Sequence, residues 1–208
     1  MGTVYIIHIV TNFKRNRLFM ILKKLSNCIY TLNIILIISL ITTSTICAKE
    51  ISISTPNSTI QFSVSHIGKT IVNGNFNSFN GHVIVTNNQL TKIEGLINVD
   101  SIETNNKIRN KYLKSKLFLN EKKYPHIYYV SESFIPSNNI LLSYGKLTIH
   151  GVTNDIILPL NINASQNMIQ ASTKLNRFNY ELNQHKKMIG ATVNIMMDIS
   201  LEKPLNKN

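Results

Sequence analysis

From Lys49 onward the chain repeatedly alternates apolar and polar residues with a period of two. Ile60, Phe62 and Val64 share one face, with Gln61, Ser63 and Ser65 on the other. Ile97 and Val99 alternate with Asn98 and Asp100. Ile156, Leu158, Leu160 and Ile162 alternate with Ile157, Pro159, Asn161 and Asn163. Val193, Ile195, Met197, Ile199 and Leu201 alternate with Asn194, Met196, Asp198, Ser200 and Glu202. Successive side chains of a strand point to opposite faces, so this pattern belongs to antiparallel strands with one face buried. Turn signals stand at Asn73-Gly74, Asn80-Gly81, Asn87-Asn88, Pro136 to Asn139 and His150-Gly151. Their intervals give an all-β chain of about eight to nine strands, arranged as a sandwich or a closed barrel. One segment breaks the pattern. Between Thr104 and Phe118, Ile108, Tyr112 and Leu113 fall at helical spacing, which predicts an inserted helix over 104–118. The tail from Pro204 is short and expected to fray.

The first 48 residues read as an address. Lys23 and Lys24 precede an uncharged apolar run over 29–41, followed by the small polar stretch Thr42 to Ala48. A basic start, a short apolar core and a small-residue end are the parts of a secretory signal. Cleavage is expected after Ala48, releasing a domain of residues 49–208 into the periplasm. The uncharged stretch Leu25–Ala48 also leaves open an uncleaved helix anchored in the inner membrane. Residues 1–19 carry an apolar run of their own and read as a start-site artefact, with translation beginning at Met20.

Charge then narrows the partners. The whole chain has 22 Lys plus Arg against 10 Asp plus Glu, a formal +12. Such an excess points to nucleic acid or an anionic membrane. The leader removes five basic residues and no acid, leaving 17 basic against 10 acidic residues in 49–208. Export argues against nucleic acid as a partner. Both cysteines, Cys28 and Cys47, lie in the leader, so the domain needs no disulfide. The 32 Ile and 28 Asn look like nucleotide bias, which weakens any argument from Lys or Asn counts alone. The remaining basic charge is concentrated. Lys107, Arg109, Lys111, Lys114, Lys116, Lys122 and Lys123 are opposed within their stretch only by Glu121. That stripe either attracts a phosphate or an anionic membrane surface, or is a solvated face.

Four blocks carry a family resemblance. They are Phe62 to Gly68 with Val72 to Gly81; Ser101 to Thr104 with Arg109, Leu113 to Ser115, Phe118 and Tyr124-Pro125; Gly145 to Thr153; and Arg177 with Gly190 to Val193. In order and spacing they resemble the YceI-like, polyisoprenoid-binding family. The resemblance implies an exported, lipocalin-like antiparallel β-barrel of about eight strands that holds a long apolar chain for transport or sequestration. It implies no catalytic residues, no metal and no cofactor; the isoprenoid (a quinone, a prenyl phosphate or a similar lipid) is the ligand. The chain departs from the family pattern at Asn110, where Asp is usual, at Tyr112, at Leu117-Phe118-Leu119, and over Arg177-Phe178-Asn179-Tyr180-Glu181.

On this reading the apolar tail meets Phe62, Val64, Phe76, Phe79, Ile97, Val99, Leu113, Phe118, Tyr129, Leu158 and Leu160. His66, Arg109, Lys114 and Arg177 meet the head group. Periodicity alone does not tell whether the aromatic residues line a cavity or fill a core. Two other readings use the same barrel. One is a metal- or His-dependent hydrolase built from His66, His82, His126 and His150 with Asp155 or Glu181, although their spacing matches no local ligand pattern. The other is a module whose basic helix docks on a membrane surface.

Overall fold

The computed structural model describes residues 20, 23–31, 48–67 and 70–205. The chain divides into two units, 1–46 and 47–208. In the first, residues 23–31 are helical and exposed. The expected start-site artefact and almost all of the apolar run and cleavage region lie outside the described residues. Among the described residues no helix is long and apolar enough to cross a membrane.

The second unit contains one antiparallel sheet of eleven segments. They are β1 (Ala48–Ser52), β2 (Thr59–His66), β3 (Thr70–Phe76), β4 (Phe79–Thr86), β5 (Gln89–Asn98) and β6 (Ile102–Glu103). After helix α1 (Lys107–Lys114) follow β7 (His126–Ser137), β8 (Ile140–Ile149), β9 (Val152–Asn163), β10 (Met168–Asn176) and β11 (Ile189–Ser200). The first six segments are three bent passes of the chain. β1 runs into β2 through a short turn at Thr55–Asn57, and β5 into β6 through another at Val99–Ser101. β3 and β4 are separated only by Asn77 and Ser78. The bends are tied together, because Thr55 Oγ1 donates to the Phe79 carbonyl at 3.1 Å and the Asn77 amide to that of Ser101 at 3.2 Å.

Counted as passes, the barrel has eight strands in meander order, closed where β11 pairs with β2 and Ile53 bridges Leu201. This is the all-β, lipocalin-like barrel that the alternation and the family blocks implied. The inward rows are those read from the sequence: Ile60, Phe62 and Val64; Ile156, Leu158 and Leu160; Val193, Ile195 and Met197 all face the interior. Their neighbours Ile157 and Met196 stand on the exposed outer face.

Two expected turns are corrected. Asn73-Gly74 and Asn80-Gly81 lie inside β3 and β4 rather than between strands. Both glycines serve close approach. A Cβ on Gly74 would collide with the Phe62 ring, and one on Gly81 with the Glu94 carbonyl and, at 2.8 Å, the Ile53 side chain. Of the signal Pro136 to Asn139, only Asn138-Asn139 form the turn, Pro136 and Ser137 being paired within β7; the other two signals are turns. Asn87 and Asn88 both have positive φ (52° and 63°), as do His150 (54°) and Gly151 (79°), which gives tight hairpin turns matching strand twist.

The inserted helix is shorter than expected. Asn106 caps it by accepting from the Arg109 amide at 3.0 Å, and it ends at Ser115, whose backbone is extended. Turns cover the rest of the segment to Lys123. The tail is held as far as Leu205, and residues 206–208 lie outside the described residues. Lys49 Nζ donates to the Pro204 carbonyl at 2.7 Å, and Leu205 is buried with Ile51, Val83, Val85, Leu160 and Ile169 at the closed end of the barrel. A second cluster (Val99, Ile102, Leu119, Ile127, Ile149, Tyr180, Leu182) packs nearer α1.

Candidate functional site

The inward faces leave two adjoining apolar chambers. The wider chamber, about 570 Å³, is bounded by β2, β3, α1, the short turn Arg177–Tyr180 and the loop 181–188. The narrower one, about 160 Å³, lies deeper between β4, β5, β8, β9 and β11. Phe76, Ile127, Ile149, Leu175 and Ile195 belong to the walls of both and form a waist between them. The wide chamber opens beside α1, where Ile108, Asn106, His185 and Met188 are at once wall residues and exposed.

Nearly all of this wall is apolar, because each strand turns its hydrophobic row inward. Of the residues expected to meet an apolar tail, Phe62, Val64, Phe76, Leu113 and Phe118 line the wide chamber. Phe79, Ile97, Tyr129, Leu158 and Leu160 line the narrow one, with Phe76 common to both. Val99 does not line either chamber. β5 ends at Asn98 and the turn that follows buries Val99 in the cluster with Ile102, Leu119 and Ile127. Tyr129 keeps its hydroxyl satisfied at depth by a 2.7 Å bond with Ser143 Oγ, and burial pushes its phenol pKa up.

The four expected head-group residues separate. His66 and Arg109 stand at the wide chamber. Lys114 does not line it and lies near Glu103, whose carboxylate its charge helps to favour. Arg177 reaches the wall but is only 3% exposed. Its Nε donates to the Gly190 carbonyl at 2.9 Å and its two terminal nitrogens to the carbonyls of Ile189 (3.0 Å) and Leu182. Among the described residues no carboxylate pairs with it, and burial draws its pKa down. Arg177 thus ties the turn 177–180 to β11 and leaves little for a ligand.

Arg109 is held differently. Its Nε donates to Thr104 Oγ1 at 2.8 Å and one terminal nitrogen to the Thr104 carbonyl at 2.6 Å. Those bonds use two of its five N–H donors, and among the described residues no further hydrogen bond is made by the rest. Asn110 fixes the support. Its Oδ1 accepts from the Thr104 amide (3.0 Å) and hydroxyl (2.6 Å), and its Nδ2 donates to Glu103 Oε1 at 2.7 Å. That bond, with the Asn105 amide, holds the Glu103 carboxyl below its usual range. An Asp at position 110 would face Glu103 with a second carboxylate, so the departure from the family pattern suits this chain's own neighbour.

Sequence reading missed the other side of the mouth. Tyr112 Oη lies 2.8 Å from His185 Nε2, joining α1 to the loop 181–188, which contributes Leu182, His185 and Met188 to the wall. No periodicity marks that irregular loop. The waist residues Ile127, Ile149 and Leu175 were legible in principle, each being an inward apolar position beside an outward polar one. The other histidines are dispersed. His82 lies 3.9 Å from Glu50 and 3.5 Å from Glu94, whereas His126 and His150 pack against Tyr128 and Tyr124. Asp155 is paired with Lys146 at 2.8 Å. Among the described residues no three His, Cys, Asp or Glu side chains form a group able to hold a metal.

A closed antiparallel barrel with an apolar interior and a few polar groups at its mouth defines the class of small lipocalin-like barrels. More specifically, the YceI-like domain family model matches residues 52–201, and the chain belongs to that family. Among curated relatives, a UPF0312 protein of Shewanella denitrificans is 37% identical over 105 residues, covering 49% of this chain and 55% of that protein. One from Yersinia enterocolitica is 34% identical over 101 residues, covering 48% and 53%. The alignment thus spans about half the length of these relatives. BcnA from Burkholderia cenocepacia superposes with a TM-score of 0.66 at 18% identity, covering 73% of this chain and 99% of that one. A polyisoprenoid binding domain from Saccharophagus degradans gives 0.59 at 14% identity, with 74% and 98% covered. At these identities the structures share the fold.

Proposed function

We propose that this protein is an exported carrier that holds one long isoprenoid chain in the barrel, transporting or sequestering it in the periplasm without altering it. The observation that carries the reading is the apolar barrel interior, a wide chamber at the mouth and a narrow one that shares five of its wall residues. The wide chamber falls within the range of known small-molecule sites. A slender chain suits this shape. Burial of each methylene is worth about 0.8 kcal/mol, so a few prenyl units supply the affinity without polar contacts. Arg109 and His66 then orient the head group at the mouth, where the unused guanidinium donors suit an anionic oxygen. The polyisoprenoid binding domain that shares this fold supports the same class of ligand. The test is to express the protein with its leader, purify it without detergent, extract it with organic solvent and identify lipids by mass spectrometry. A stoichiometric isoprenoid is the result expected. No co-purifying lipid, together with no uptake of added prenol, prenyl phosphate or quinone, refutes the reading.

A further inference from the structure

The mouth of the barrel combines exposed apolar residues with a concentration of lysines. Ile108, on α1, is 84% exposed although it borders the wide chamber, and Met188 on the facing loop is 42% exposed. Ile67, directly after the wall residue His66, is 53% exposed. Single exposed apolar residues are ordinary on any surface. Here three belong to the elements around one opening, and lysines alternate with them. Lys107 and Lys111 flank Ile108 on α1, and Lys186 and Lys187 precede Met188; all four are exposed. The two elements are joined directly by the Tyr112–His185 contact, so the residues form one rim. Segment 107–114 contains no acid, and loop 181–188 contains only Glu181.

We propose that this rim docks mouth-first on an anionic bilayer, so that lipid passes between membrane and cavity without crossing water. This rests on the carrier reading and names the surface at which the same site is loaded. The chemistry suits a bilayer. Short apolar side chains enter the headgroup and acyl boundary, while lysines beside them meet lipid phosphates. None of the four lysines lines the cavity, so attraction to the membrane and retention of the ligand are carried by different residues. Each lysine near such a surface contributes about 1 kcal/mol, roughly a fivefold change in partitioning.

The experiment has two arms, on the protein expressed with its leader and purified as in the lipid-extraction test. In the first, co-sedimentation is measured with vesicles of phosphatidylcholine alone or with added phosphatidylglycerol, at low and high salt. Binding that requires phosphatidylglycerol and weakens with salt is expected. The quadruple variant Lys107→Gln, Lys111→Gln, Lys186→Gln, Lys187→Gln should bind about a hundredfold or more weakly. Ile108→Ser with Met188→Ser should also release the protein from vesicles. No binding to phosphatidylglycerol vesicles, or unchanged binding of the lysine variant, overturns the proposal. In the second arm a fluorescent prenol is delivered from cyclodextrin, with no membrane present. The lysine variant should load as well as the parent there, yet extract the prenol more slowly from anionic vesicles. Equal loss by both routes assigns the lysines to general ligand binding and overturns docking. Failure of the parent to load from cyclodextrin refutes the carrier reading, while the sedimentation result still decides docking.

Discussion

Gly95 offers a direct way to shorten the cavity without disturbing the barrel. It lies on β5 opposite Gly81 and Tyr129 and lines the narrow chamber, and a Cβ placed there meets no atom within 4 Å. Gly95→Leu therefore points a branched side chain into empty space of about 160 Å³. The strand itself should gain, because glycine in a strand interior costs about 0.5–1 kcal/mol. The ligand should lose whatever part of its tail lies below the waist. If that part is one prenyl unit, burial at about 0.8 kcal/mol per carbon gives about 4 kcal/mol at most, or roughly a thousandfold in affinity. Calorimetric titration with prenyl phosphates of increasing length should show short chains binding parent and variant alike. Beyond the length that reaches the waist, parent affinity should continue to rise while variant affinity levels off. The thermal midpoint should be unchanged or higher. Equal weakening at every length, or no weakening of the longest chain, would refute the assignment of the narrow chamber to the tail.

Other outcomes follow from the supports around the site. Arg177→Met should destabilise the domain by about 3 kcal/mol or more in urea titration, because three backbone carbonyls lose a charged donor, and Arg177→Lys should not restore them. Asn110→Asp should cost about 1–3 kcal/mol and loosen Arg109, and adding Glu103→Gln should recover most of the loss in a double-mutant cycle. The Glu103 carboxyl is held low chiefly by the Asn110 amide, so its contribution is complete above the ordinary carboxylate range and disappears as pH falls through the depressed value. Glu103→Gln should accordingly flatten the acid side of the stability profile, read from urea midpoints against pH. Gly74→Ala should cost about 1–3 kcal/mol through collision with Phe62, and Phe62→Leu should relieve part of it.

The barrel was legible wherever side-chain period reports directly on burial. The rows of β2, β9 and β11 read correctly because a strand that lines a lumen must alternate. Asn73-Gly74 and Asn80-Gly81 misled because the same dipeptide serves a tight turn or a close approach of packed groups, and only the tertiary neighbours Phe62 and Glu94 distinguish the two. Val99 misled because its alternation with Ile97 continued past the point where the backbone turns into Val99–Ser101. Arg177 and Lys114 share their charge with Arg109, but what each charge does depends on partners distant in sequence or across a turn. The loop 181–188 carries no period, so its half of the mouth appeared only when Tyr112 and His185 were brought together.

If the barrel carries a lipid as proposed, the tail lies along its axis with its end in the narrow chamber and its head beside Arg109. Photo-crosslinking with a prenyl phosphate bearing a diazirine at the tail terminus, followed by peptide mass spectrometry, tests it most directly. The label should fall on peptides carrying Leu158, Leu160, Met197 and Ile199, which line the narrow chamber, and should move to waist residues in Gly95→Leu. Label confined to the mouth or to the outer face around Ile157 and Met196 would rule out a ligand seated in the barrel.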